Sequence, residues 1–297
     1  MDIETNSGYN QEWVGPIELN DLPKYSSWPL RLLNSSEFSD RHRTSEYVLR
    51  EYDEKWSKVH EIIKDNEFVD LGETLRHVMC SNYASDILFH IDENIYYSEN
   101  SLSVKDYINE KISDILSIYM TSDDTLVELG SGWGKNLFYF LEKKLCRKVV
   151  GGEYSKEGLA AADFISRKFG LPAEFFHFDY YNPQSPLMQK LVNSVVFTRN
   201  SVEQVSCVPE ETILALIKSR PKTVIHFEPV YEYTNKDTLL HYLWRRYTHI
   251  NDYNRNLLTV LRKFESCGRI SIIDEKIHSM GLNAFNPGSF IIWEPSD

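Results

Sequence analysis

Cysteine is scarce in this 297-residue chain: there are 4, and Cys80, Cys146, Cys207 and Cys267 lie far apart. No pair has the spacing of a zinc knuckle or a redox motif, and so few thiols exclude a disulfide framework at this length. They are expected to be mostly core thiols in a reducing compartment. Long apolar runs are absent too. No uncharged stretch approaches the ~18 residues that a membrane-spanning helix needs. The polar opening Met1-Asp2-Ile3-Glu4 holds no signal-like apolar core, so a cytoplasmic protein away from membranes is expected. Positive charge is the minority, with 32 basic against 44 acidic residues and a formal charge of −12. Such a field repels polyanions and shows no basic stripe, which disfavours nucleic acid and favours neutral or cationic partners. Only short clusters such as Lys143-Lys144 and Arg245-Arg246 offer a local basic patch.

Aromatic residues are plentiful, with 18 Tyr and 15 Phe, enough for a sizeable core. The first forty or so residues have little periodicity but carry the anchors Trp13, Trp28 and Leu30, which predicts an arm packed on the rest. From about Thr44, Val48, Tyr52, Trp56, Val59 and Ile63 recur at helical spacing, as do Val104, Ile108, Ile112, Ile115 and Tyr119 with Ser103 as N-cap. Between these helices, 83–100 is aromatic and acidic without a clear period. At Thr125 the pattern changes to short β-rich runs alternating with helical segments. Strands are predicted at 125–130, 148–154, 173–179, 194–199, 223–228, 269–277 and 288–294. A long helical stretch is predicted from Leu239 to Phe264, with His241, Arg245 and His249 on one face. Runs apolar on both faces imply a sheet covered by helices on each side. The last two strands are too close in sequence for a crossover helix, so they pair antiparallel. The expected fold is therefore α/β: a seven-stranded doubly wound sheet with an antiparallel last strand. A mainly helical N-terminal module, 1–120, precedes the sheet domain, 121–297.

The sharpest local signal joins the first of these strands to the next helix: Glu128-Leu-Gly130-Ser131-Gly132-Trp-Gly134. Glycines there let the backbone turn tightly and approach a ligand, beside the amides of a helix start. A dinucleotide loop places its third glycine five residues after the first. Here it follows four after, and an acid precedes the first by two. This resembles motif I of the class I S-adenosylmethionine-dependent methyltransferases, and the closing antiparallel strand resembles that family's seventh. The resemblance spans from Thr125 to Pro295; the first 120 residues match nothing specific. It implies S-adenosylmethionine as cofactor, S-adenosylhomocysteine as product, and a loop that wraps the methionine portion. Glu153, ending the second strand beside Tyr154, is then the acid for the ribose hydroxyls, and Asp179, beside Tyr180, the acceptor for the adenine amine.

The fourth strand ends Phe197-Thr-Arg-Asn200-Ser-Val-Glu203-Gln204, similar to a leucine-glutamate-histidine-valine stretch of small-molecule methyltransferases. Gln204 stands in place of the histidine. No Asn/Asp/Ser-Pro-Pro-aromatic motif is present, which lowers the odds of a nucleobase or glutamine acceptor. The candidate catalytic residues are Glu203, Glu228 and His226, because the fifth strand ends His226-Phe-Glu228-Pro. The cofactor candidates are Glu128, Gly130, Ser131, Gly132, Gly134, Glu153, Tyr154, Asp179, Tyr180 and Asn200. No spacing of metal-ligand quality occurs, so no metal is expected. The expected activity is methyl transfer to an oxygen or amine nitrogen of a small molecule, under a lid formed by the N-terminal module and 83–100. Alternatives are a peptide or protein methyltransferase, a non-catalytic S-adenosylmethionine-binding partner protein, and an NAD-dependent oxidoreductase.

Overall fold

The β-rich runs after Thr125 become the strands of one sheet because each is apolar on both sides and therefore needs cover on both faces. The computed structural model describes residues 13–34, 42–83 and 86–296, so the polar opening lies outside the described residues. The N-terminal part contains β1 (Trp13–Val14), α1 (Trp28–Leu33), α2 (Ser45–Asp65), α3 (Leu71–Tyr83), β2 (Ile87–Ile91), β3 (Asn94–Ser98) and α4 (Ser101–Tyr119). There follow β4 (Thr125–Leu129), α5 (Lys135–Glu142), β5 (Lys148–Glu153), α6 (Lys156–Phe169), β6 (Ala173–His177), β7 (Val195–Arg199), α7 (Glu210–Lys218) and β8 (Thr223–Pro229). The chain closes with α8 (Leu239–Asn251), α9 (Leu257–Ser266), β9 (Ile270–Lys276), β10 (Met280–Gly281) and β11 (Gly288–Pro295).

The seven-stranded sheet runs β6-β5-β4-β7-β8-β11-β9. Strands β4 to β8 pair in parallel, and β11 inserts antiparallel between β8 and β9. The predicted α/β architecture and its antiparallel last strand are thus observed. Alternation along each strand divides the core. Val127, Leu129, Val150, Val196 and Trp293 meet α7 and α9 on one face, while Leu126, Val149, Phe197 and Ile292 meet α4 and α5 on the other.

Helix α2 starts where expected, with the Thr44 hydroxyl accepting from the Tyr47 amide. Its buried Val59 and Ile63 pack with the small Ala161 and Ala162 of α6. The Asp53 carboxylate accepts from the Ser155 hydroxyl at the α6 N-terminus, 2.6 Å away. A smaller sheet, ordered β1-β3-β2-β10, joins the N-terminal part to the segment just before β11.

Several expectations change. The stretch 83–100 holds an antiparallel hairpin, β2–β3, whose tip carries Asp92 in the left-handed region. Asn100 rather than Ser103 caps α4, its side chain accepting from the amides of Leu102 and Ser103. Leu30 is exposed and its neighbour Leu32 is the buried anchor, whereas Trp13 and Trp28 pack on Phe89 and Tyr247 as expected. The long helix from Leu239 breaks at Asp252, which adopts φ 50°. Asn254 then bonds the Val205 carbonyl and the Leu257 amide, a local alternative that Asn offers the backbone in place of helix. Only Cys146 is buried; Cys80, Cys207 and Cys267 are exposed, so the thiols are mostly surface groups.

Candidate active site

In a doubly wound sheet the ligand crevice opens where neighbouring strands send their connections in opposite directions, here between β4 and β7. The turn after β4 sits at that point. Gly130, Gly132 and Gly134 take φ of 76°, 55° and 82°, a region that side chains disfavour. The amides of Gly130 and Ser131 donate to the Gly152 carbonyl at 2.7 and 3.0 Å, tying the turn to β5. A Cβ on Gly130 would stand 2.3 Å from the Cβ of Ser201, and one on Gly132 would stand 2.9 Å from the Trp56 ring. The turn is therefore held between the loop after β7 and helix α2.

A cavity of about 540 Å³ opens beside it. Of the predicted cofactor residues, Gly130, Ser131, Gly132, Glu153, Tyr154, Asp179, Tyr180 and Asn200 line this cavity. The Glu153 carboxylate is buried and accepts from the amides of Gly132 (2.6 Å) and Ser155 (2.8 Å), one on each oxygen. Each oxygen keeps a second lone pair for a ligand. Burial raises its pKa, and the amide bonds oppose that rise. Asp179 accepts from the Tyr181 amide at 2.8 Å, and the Tyr180 hydroxyl meets Ser201 Oγ at 2.8 Å.

Two predicted cofactor residues are absent from the lining. Gly134 sits at the N-cap of α5, where a Cβ would strike Phe138 and Phe175, so its place is steric. Glu128 is fully buried, accepts from the Asn136 amide group at 2.6 Å, and leaves its other oxygen without a partner. Burial pushes its pKa up to about 8.

The catalytic candidates separate. Glu203 lines the cavity, and its two oxygens accept from Gln204 (2.7 Å) and Asn286 (2.5 Å). Burial, and then the nearby Glu228, push it up to about 8. His226 and Glu228 do not line the cavity, which corrects their placement. His226 Nδ1 is 3.0 Å from the Thr198 hydroxyl and its Nε2 accepts from the Trp293 indole, so both nitrogens are occupied. Burial lowers it to about 3, and it stays neutral at ordinary pH. Glu228 spends its carboxylate on the amides of Ser201, Val202 and Glu203, holding the turn that presents Glu203. The His241, Arg245 and His249 face also dissolves: His241 is buried, while His249 meets the Tyr231 hydroxyl.

Other lining residues were missed. Tyr52, Lys55 and Trp56 come from α2, Lys105 from α4, Lys135 and Asn136 from α5, and Arg199 from β7. Lys135 and Arg199 adjoin motif residues and were readable as flanks; the α2 residues were hidden in a stripe that reads as core. Burial lowers Lys105 to about 8, Lys135 to about 7 and Arg199 to about 10. For Lys135 the charges of Arg199, Lys105 and Lys55 add to the effect. The cavity wall thus carries four basic side chains, Lys55, Lys105, Lys135 and Arg199, beside four acidic ones, Asp86, Glu153, Asp179 and Glu203.

No protein-family model and no curated protein matches this chain. Solved structures do. The (4+2)-cyclase SpnF aligns at TM-score 0.52 and 14% identity, covering 88% of this chain and 99% of SpnF. The magnesium protoporphyrin IX methyltransferase ChlM from Synechocystis PCC 6803, with bound S-adenosylhomocysteine, aligns at 0.48 and 13%, covering 85% of this chain and 100% of its own. The plantazolicin methyltransferase BpumL aligns at 0.45 and 11%, covering 84% and 98%. The strand order, the inserted antiparallel strand and the match to SpnF together show that this chain has the class I methyltransferase fold.

Proposed function

We propose that the protein transfers a methyl group from S-adenosylmethionine to an oxygen or amine nitrogen of a small molecule. The observation that carries this reading is the glycine turn 130–134 set against the buried Glu153 carboxylate at the cavity wall. The residues present fit the cofactor. Ser131 Oγ, on the cavity wall, is buried without a partner, in a turn with no side chain on three of its five positions. Glu153 would hold the ribose, Asp179 the adenine amine, and the basic side chains of the wall the methionine carboxylate. When bound, S-adenosylmethionine supplies a methyl group already activated on sulfur.

The protein's own work is alignment, exclusion of water and, for a hydroxyl acceptor, removal of a proton. Tyr52, Lys55 and Trp56 on the cavity wall support a covering role for the N-terminal module, 1–120. Glu203 is the carboxylate placed to take the proton. Its raised pKa means that it is ionised, and able to act as a base, only as pH rises through about 8. Turnover should therefore climb across that range. Glu203→Gln should lower it roughly 100-fold or more and flatten the profile. An unchanged profile in this variant would remove Glu203 from proton transfer.

Because SpnF is a cyclase, a second reading keeps S-adenosylmethionine as a bound but unreacted group. Labelled methyl separates the two. Incubation with cell extract should place label in the small-molecule fraction. Label in polypeptide alone would make the acceptor a protein, and no label with cofactor bound would favour the second reading.

A further inference from the structure

On the far side of the segment that leads into β11, Glu93, His241 and His278 bring one ligand atom each to within 4.8 Å of the others. They come from the hairpin tip, from α8 and from the residues between β9 and β10, so no sequence spacing announces them. Both histidines are buried. Neither ring nitrogen of His241 has a hydrogen-bond partner, and His278 Nε2 has none either. The Thr234 carbonyl, the backbone group that faces a nitrogen of His241, also accepts from the Arg245 guanidinium, which leaves at least one imidazole nitrogen of His241 unpaired. His278 Nδ1 lies 3.4 Å from Glu93 Oε1. Buried imidazole nitrogens without partners are costly and uncommon, which calls for a ligand.

We infer that Glu93, His241 and His278 form a divalent-cation site of the zinc type. Two imidazoles and a carboxylate are a donor set suited to Zn²⁺, with water as the fourth ligand. Donor bonds of about 2.0–2.2 Å require the three atoms to close by roughly 1 Å, within reach of side-chain rotation. The Lys236 ammonium now sits 2.5 Å from Glu93 Oε1. It is more than half exposed and is free to swing into solvent when a doubly charged ion takes its place. Trp244 covers both imidazoles, with ring centroids at 4.7 Å from His241 and 4.6 Å from His278, and shields that side of the site from solvent.

None of the three ligands lines the cavity, so the site stands independently of methyl transfer. Its position gives it a purpose. The segment after His278 carries Leu282 on the cavity wall and Asn286, which donates to Glu203. A cation would pin the start of that segment to α8 and to the hairpin tip.

The test uses the full chain stripped with chelator, titrated with Zn²⁺ by calorimetry and with Co²⁺ by visible absorption. One equivalent should bind, Co²⁺ should give the intense bands of a low-symmetry site, and the melting point should rise. Glu93→Gln alters only an exposed residue, so its metal-free melting point serves as the folding control; His241→Phe keeps the packing on Trp244. Each should weaken Zn²⁺ binding at least 10-fold. The inference is overturned by no saturable binding, by wild-type affinity in both variants, or by binding that disappears on alkylating the exposed cysteines.

Discussion

Glu153→Ala is expected to weaken S-adenosylmethionine binding by about 100- to 10,000-fold. Hydrogen bonds to a charged acceptor contribute about 1.5–3 kcal/mol each, and the proposed role gives Glu153 two of them. Each 1.4 kcal/mol is roughly a factor of ten in affinity. The variant also loses the acceptor for the amides of Gly132 and Ser155, so the glycine turn loosens as well. Unpaired buried amides cost about 1–3 kcal/mol each, less where water enters the space left by the side chain. Glu153→Gln separates the two effects, because it keeps one oxygen for an amide and loses the charge. Calorimetric titration, with circular dichroism as the folding control, reads both. Wild-type affinity in a folded Glu153→Ala variant would remove the ribose from this site.

The second large effect is expected at Gly130. An alanine there must hold φ near 76°, which costs roughly 1–2 kcal/mol for a residue with a Cβ. It must also displace Ser201, whose Cβ would be 2.3 Å away. Ser201 cannot yield cheaply. Its hydroxyl donates to the Leu129 carbonyl at 2.7 Å, and its amide donates to the buried Glu228. Strain and clash together should exceed about 3 kcal/mol, a fall in melting point of roughly 6–12 °C for a chain of this size, with cofactor binding lost. Gly170 is the control. It ends α6 at φ 60° with nothing within 4 Å of a Cβ, so Gly170→Ala should cost only about 1–2 kcal/mol. If the two variants melt alike, the close packing of the turn against the β7 loop is not what holds the site.

The fold was largely legible because its determinants are local. Strands apolar on both faces, a glycine turn and two final strands without room for a crossover give sheet, switch point and antiparallel insertion before any contact is known. Part of the cavity wall was legible for the same reason, since Gly130 and Asp179 lie just after strands and Glu153 ends one. The rest depends on contacts between distant segments. Trp56 and Tyr52 share their helix with Val59 and Ile63, and periodicity gives no sign of which aromatic faces a cavity and which a core. His226 follows the strand parity of Glu228, but only packing reveals that Thr198 and Trp293 consume its nitrogens. Net charge was a poor guide for the same reason: a total of −12 is summed over the whole chain, while the cavity wall carries basic and acidic side chains in equal number. The helix break at Asp252 was visible in principle, as a run of Asp and Asn residues that prefer turns and caps to helix interiors.

Thermal melting with S-adenosylmethionine, S-adenosylhomocysteine and NAD in parallel tests the central claim most directly. At about 100 times its dissociation constant a ligand that binds only the folded chain adds roughly 2.7 kcal/mol, enough for several degrees. Both adenosyl ligands should raise the melting point of the wild type and fail to raise that of Glu153→Ala, while NAD should leave both unchanged. A rise with NAD alone, or no rise with either adenosyl ligand, would contradict the account.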